Sequence, residues 1–411
     1  MSKLFALEDI NENTTDTELE AAAEVGEVAD VQTEIQEDVS DTNEAVAAID
    51  EGIGAADQLE EVEEVVANAA EEEGLDPVAA EAIRIAVEAI CARVGANPKV
   101  MYPLYATENF QSASSRRANT VIALEGIREF LKDIWNKIKT AVLNLWNRVK
   151  EFWNKHFSKL GRIKKALESM REKISESSGK LKSKAYIEEA PSGLSDAFAG
   201  GDISVTVISE FIKQHKNLNL NSDKASMIIT NYNDKTNAAL NEINSSKEIL
   251  TDFNFGEKDK NSKEISYLRT GKLIGGLTIE VKFDVEDDGN VTLDITREHV
   301  DKKDRGGVVL AEKNEVKGLL NETLNLINEN IKYKSRQEKV QESFNKLSIT
   351  IEKAISKVKN ENEQKILRNG MKAAYKINSK LPIIDTELSN LNVKLAKAVI
   401  SYAALCLKNY K

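Results

Sequence analysis

Apolar residues recur every three or four positions over most of the chain, and the strongest run lies in its middle. Ile127, Leu131, Ile134, Ile138, Val142, Leu145, Val149, Phe152, Leu160 and Ile163 predict an amphipathic helix from about 127 to 174, with Gly161 as a candidate break. A shorter helix is predicted near 78–94. Asp76 is its N-cap, Pro77 its first helical residue, and Ile83, Val87, Ile90 and Val94 form its apolar stripe before Gly95. Further helices are expected around 203–218, 222–250, 312–333, 336–359, 362–379 and 383–407, with Pro382 separating the last two. Near 277–297 the period drops to two: Leu277, Ile279, Val281, Phe283 and Val285 alternate with polar residues, Asp288-Gly289 turns, and Val291, Leu293 and Ile295 alternate again. That is a β-hairpin. The last four helical stretches fit an antiparallel bundle with the hairpin inserted at one end.

Charge divides this pattern sharply. Residues 1–125 hold 29 acids and 6 bases, whereas the remaining residues hold 39 acids and 50 bases. The overall charge of −12 therefore averages a net −23 and a net +11. Residues 9–75 are acidic, rich in Ala and Val and almost free of aromatics. A segment so charged is expected to bury too little apolar surface to offset its ordering entropy, and so to be disordered or loosely helical. Residues 96–121 carry Pro98, Pro103, Ser112, Ser114, Ser115, Arg116 and Arg117 and read as an extended, accessible linker. The expected fold is mainly α: an acidic N-terminal arm (1–125), a basic Trp-rich helix (126–174), and a mostly helical domain with one hairpin (175–411).

The chemistry is sparse. His156, His215 and His299 are each alone, and Gly271-Lys272 lacks the Ser/Thr of a phosphate loop. Asp284, Glu286, Asp288 and Gly289 begin like a calcium loop, but Ile295 stands where its bidentate Glu is required. Cys91 and Cys406 have apolar neighbours and read as buried thiols. No catalytic residue, cofactor or metal is expected, and neither a secretory signal nor a membrane span is read in the chain. What stands out is the long helix. It carries all three tryptophans, Trp135, Trp146 and Trp153, each followed by Asn and a base: Lys137, Arg148 and Lys155. Three roles stay open for it: a buried or self-associating helix, a surface meeting nucleic acid, or an interfacial membrane helix.

Ala-Leu-Glu stands at the charge reversal, as Ala123-Leu124-Glu125 before Gly126. A further copy, Ala6-Leu7-Glu8, ends a short apolar N-terminal peptide, and Ala166-Leu167-Glu168 lies inside the predicted helix, where a protease could not take it in extended form. This organisation over residues 1–173 resembles the internal head (prohead core) proteins of large contractile-tailed bacteriophages. The resemblance implies an acidic propeptide that directs the chain into the prohead. It also implies a prohead protease that cuts after Glu125, with Glu8 as a candidate second site. The more basic product would lie inside the capsid with packaged DNA and with capsid and core proteins, after synthesis in the host cytoplasm. Two other readings stay open from the residues: a membrane-active, toxin-like protein with an acidic inhibitory prodomain, and a cytoplasmic coiled-coil scaffold. Residues 174–411 add nothing equally distinctive.

Overall fold

The computed structural model describes residues 16–95, 110–181, 186–241, 265–285, 291–301, 303–355 and 361–410. The peptide Ala6-Leu7-Glu8, the Asp288-Gly289 turn and Pro98 and Pro103 of the expected linker lie outside those residues. Seven helices and six strands follow in chain order: α1 (Asp16–Glu71), α2 (Pro77–Arg93), α3 (Ala113–Glu176), β1 (Tyr186–Ile187), α4 (Ser192–Ala197), β2 (Gly201–Ile203) and α5 (Val205–Asn241). Then come β3 (Ile265–Arg269), β4 (Leu277–Val285), β5 (Val291–His299), β6 (Arg305–Val309), α6 (Lys313–Ile355) and α7 (Glu361–Lys408). The mainly α expectation holds. The chain divides into two compact units, one of residues 43–145 and one of residues 1–42 with 146–411.

Of the two states expected for the acidic segment, disordered or loosely helical, residues 16–71 take the helical one. Instead of disorder, α1 is a helix of 56 residues holding 19 acids and no base. Its buried positions explain why. From Val28 through Val31, Ile35, Val39, Thr42, Val46, Ile49, Ile53, Ala56, Leu59, Glu63 and Val66 to Ala70, twelve steps of three or four residues cover 42 residues. That mean of 3.5 is the coiled-coil period, so one narrow seam, Glu63 included, stays buried while most of the other described acids of α1 are exposed. In unit 43–145, α1 runs antiparallel to α3: a side chain on Gly52 would meet Ile138, and Arg128 Nε donates to Glu63 Oε1 at 2.7 Å. Asp76 caps α2 as expected, accepting from the amides of Val78 and Ala79.

Three other boundaries move. α3 begins at Ala113, fourteen residues before the expected start and within the expected linker. Ser112 Oγ accepts the Ser115 N–H, and Arg116 Nε donates to the carbonyl of the buried Phe110, so the first turn is closed by local polar groups. Neither Gly161 nor Pro382 breaks its helix: α3 runs on to Glu176, and α7 spans 48 residues through the proline. A proline inside a helix costs about 3 kcal/mol. Here Ile377, Asn378 and Ser379 before it and Ile384, Asp385 and Thr386 after it are all buried, so tertiary packing outweighs that cost. Likewise α5 and α6 are each one helix where two were expected over 203–250 and 312–359, residues 242–250 and 356–359 falling outside the described set.

The hairpin is present, with β4 antiparallel to β5 from Leu277 opposite His299 through to Val285 opposite Val291. Two features of the sheets were not anticipated. β3 adds a strand beside β4, and a second sheet orders β1-β6-β2. In that sheet Gly306 sits where a Cβ would lie 2.4 Å from the Gly201 carbonyl carbon, which is why the parallel β2–β6 pair needs glycine there.

Candidate processing junction and interaction helix

Ala123-Leu124-Glu125-Gly126 lies inside α3, ten residues from its first turn. Ala123 and Leu124 are buried, Glu125 is exposed and Gly126 half-buried. The residues around it are tied to the α1–α2 turn. Thr120 Oγ1 accepts the Leu75 N–H at 2.8 Å and donates to Arg116 O, and Arg117 Nε donates to Ala70 O at 3.1 Å. Gly74, at φ +83°, packs against the Arg116 backbone. The expectation of an exposed linker leading into the junction is therefore corrected. The third copy, Ala166-Leu167-Glu168, is helical with Ala166 and Leu167 buried, as expected, so in the folded chain the two copies are alike.

The three tryptophans are buried. Trp135 belongs to unit 43–145; Trp146 and Trp153 belong to the other. Trp153 is the best connected. Its Nε1 donates to Gln337 Oε1 at 2.7 Å, and Gln337 Nε2 donates to Asp385 Oδ2 at 3.1 Å. Arg336 holds the same carboxylate at 2.9 Å, lies over the Tyr333 ring, and Tyr333 packs edge-on against Trp153. The crevice beside Trp146 and Trp153, bordered by Lys150 and Lys334, has a volume of about 10 Å³, room for one water. Lys137 and Arg148 are exposed, whereas Lys155 Nζ donates to both oxygens of Asp38, at 3.0 and 2.8 Å.

That pair belongs to a ladder that sequence reading missed. Within the unit of residues 1–42 and 146–411, α1 lies antiparallel along α3. Asp38 faces Lys155 and His156, Glu34 meets Lys159, and Glu27 approaches Arg162 at 3.8 Å. Val28, Val31, Ile35 and Val39 fill the seam beneath. Burial pulls the Asp38 carboxyl up, but the hydrogen bonds and charges of Lys155 and His156 together bring it below its ordinary value. His156 is fully buried against Phe152. Burial pushes its pKa down against the opposing pull of Asp38, so it is a packed, neutral histidine. The available signal was the 3.5-residue period of α1, hidden by its charge.

A second buried polar cluster joins three helices. His215 of α5 hydrogen-bonds through Nδ1 to Asn392 Oδ1 of α7 at 2.8 Å, and its Nε2 accepts the Ile274 N–H. Asn392 Nδ2 donates to Asn219 Oδ1 and to Asn330 Oδ1 of α6. Burial depresses His215 to about 4, which keeps the ring neutral in this donor–acceptor pattern. Cys91 and Cys406 are free, buried thiols, and burial pushes Cys406 up to about 11.

Among the described residues no group of three or more His, Cys, Asp or Glu could hold a metal ion, and no helix is long and apolar enough to cross a membrane. The apolar stripe of the Trp helix from Ile127 to Ile163 is buried, whereas Val121, Ile122 and Phe157 of α3 are exposed. No curated protein and no solved structure matches the chain. One family model does match, over residues 11–410, far beyond the 1–173 that carried the resemblance in sequence. The chain therefore belongs to the phiKZ-like phage internal head proteins, structural proteins of the interior of the phage capsid.

Proposed function

We propose that this internal head protein is made as an acidic precursor and cut by the phage's prohead protease after Glu125, leaving a basic product in the capsid beside packaged DNA. The observation that carries the reading is the coincidence of Ala123-Leu124-Glu125 with the change from net −23 to net +11. The product presents exposed bases on α3, among them Lys137, Arg148, Lys150 and Lys165, suited to non-specific phosphate contact. In the precursor, α1 lays carboxylates along this helix and lowers its attraction for polyanions. Because Ala123 and Leu124 are buried in helix, the protease must meet residues near 113–128 unwound, either before the precursor folds or through local opening.

N-terminal sequencing of the protein from purified particles tests the cut. A start at Gly126 is expected, and an N-terminus at Met1 or Ser2 in mature particles overturns the reading. Duplex DNA binding tests the charge argument: the 126–411 product should bind more tightly than the precursor at low salt and lose that advantage as salt rises.

A further inference from the structure

Cutting a chain does not by itself separate its pieces. Residues 16–42 contribute Val28, Val31, Ile35 and Val39 to a closed seam, Glu27, Glu34 and Asp38 to ion pairs with Arg162, Lys159 and Lys155, and Asp38 also to a hydrogen bond with the neutral His156. Burial lowers the pKa of Lys397 of α7 and the charge of Asp30 opposes that shift, so the field of this acidic segment reaches a second helix of the later chain. None of these contacts depends on the covalent link at residue 125. Residues 16–42 hold ten acids and no base, and Glu27, Glu34 and Asp38 among them face bases of α3, a complementarity of apolar seam and charge that a separate acidic helix would satisfy equally.

We propose that the face of α3 bearing Lys155, Lys159 and Arg162 is a docking surface for an acidic heptad-patterned helix, and that residues 16–42 remain bound to it as a noncovalent ligand after the arm is severed. The inference borrows only its occasion from the processing reading. The consequence is that charge reversal takes two steps: scission, then removal of the docked arm by further cutting or by a competing polyanion. The arm carries Ala69-Ala70-Glu71 and Ala79-Ala80-Glu81, but Ala70 and Ala80 are buried while it stays folded.

The test uses the full chain with a recognition sequence for a site-specific endoprotease inserted within residues 96–109, so that it does not depend on Glu125 being a natural site. The folded protein is cut and passed over a size-exclusion column at about 0.1 M salt, where the Debye length is roughly 10 Å. Co-elution of both pieces at micromolar concentration is expected; their separation overturns the proposal. The variant K155E/K159E/R162E should weaken retention at least about tenfold, and Ile35→Asp should weaken it further, the retention that remains resting on the contacts of Glu63, Ala70 and Leu75 with Arg128, Arg117 and Thr120; the uncut variants are checked for helix content by circular dichroism. Retention unchanged in both variants also overturns it. If the pieces stay together here while particles yield an uncut N-terminus, the docking surface stands and the processing reading falls.

Discussion

His215 shows how one residue sets a pH limit. Its pKa is about 4 in the fold against 6.5 for the free side chain, so between those values the unfolded chain takes up a proton that the folded chain refuses. Stability from this group is complete above pH 6.5 and is lost as pH falls toward 4, by about 3 kcal/mol in all. Urea midpoints measured across that range should fall, and replacing His215 should flatten the curve while lowering it overall. Gly74 illustrates a backbone limit. At φ +83°, with a would-be Cβ 2.5 Å from the Arg116 carbonyl carbon, Gly74→Ala should destabilise unit 43–145 by about 2 kcal/mol or more, read by thermal unfolding. The histidine was visible in sequence only as an isolated residue. Asn392, the partner that orients its ring, lies 177 residues away, and no local pattern links them.

At the scale of elements, helix type was legible, and a helix end was legible where a local cap marks it, as Asp76 does for α2. The spacing in α3 predicted its buried positions well, from Ile127 to Ile163. Its true start and its passage through Gly161, like the passage of α7 through Pro382, depend on tertiary contacts that outweigh local propensity. The Trp helix is held by packing rather than by its flanking bases. Trp153→Ala should cost about 3–5 kcal/mol, because it empties a fully buried site and strands Gln337, whereas Arg148→Ala should change stability by less than about 0.5 kcal/mol. Chemical denaturation of the two variants side by side checks the contrast. The packing of the acidic α1 was missed because net charge was weighed over whole segments, while burial is decided by one seam.

For the whole molecule, the two thiols report on the two units separately. Cys91 lies in unit 43–145 and Cys406 in the other, both buried and free, with burial raising each pKa. Neither should react with a thiol reagent under native conditions, and mass mapping during a urea titration should show whether the units open together or apart. The sequence by itself determined the mainly helical class, the presence of the hairpin, the charge reversal and the likeness to internal head proteins, because periodicity, turn residues and composition are local properties. Only the tertiary structure decided that residues 16–71 of the acidic arm form a packed helix, that Ala123 and Leu124 are buried, and that the tryptophans fall into different units. Those outcomes depend on which surfaces meet. Asp38 with Lys155, Thr120 with Leu75 and Trp153 with Gln337 are pairs that a linear pattern does not encode.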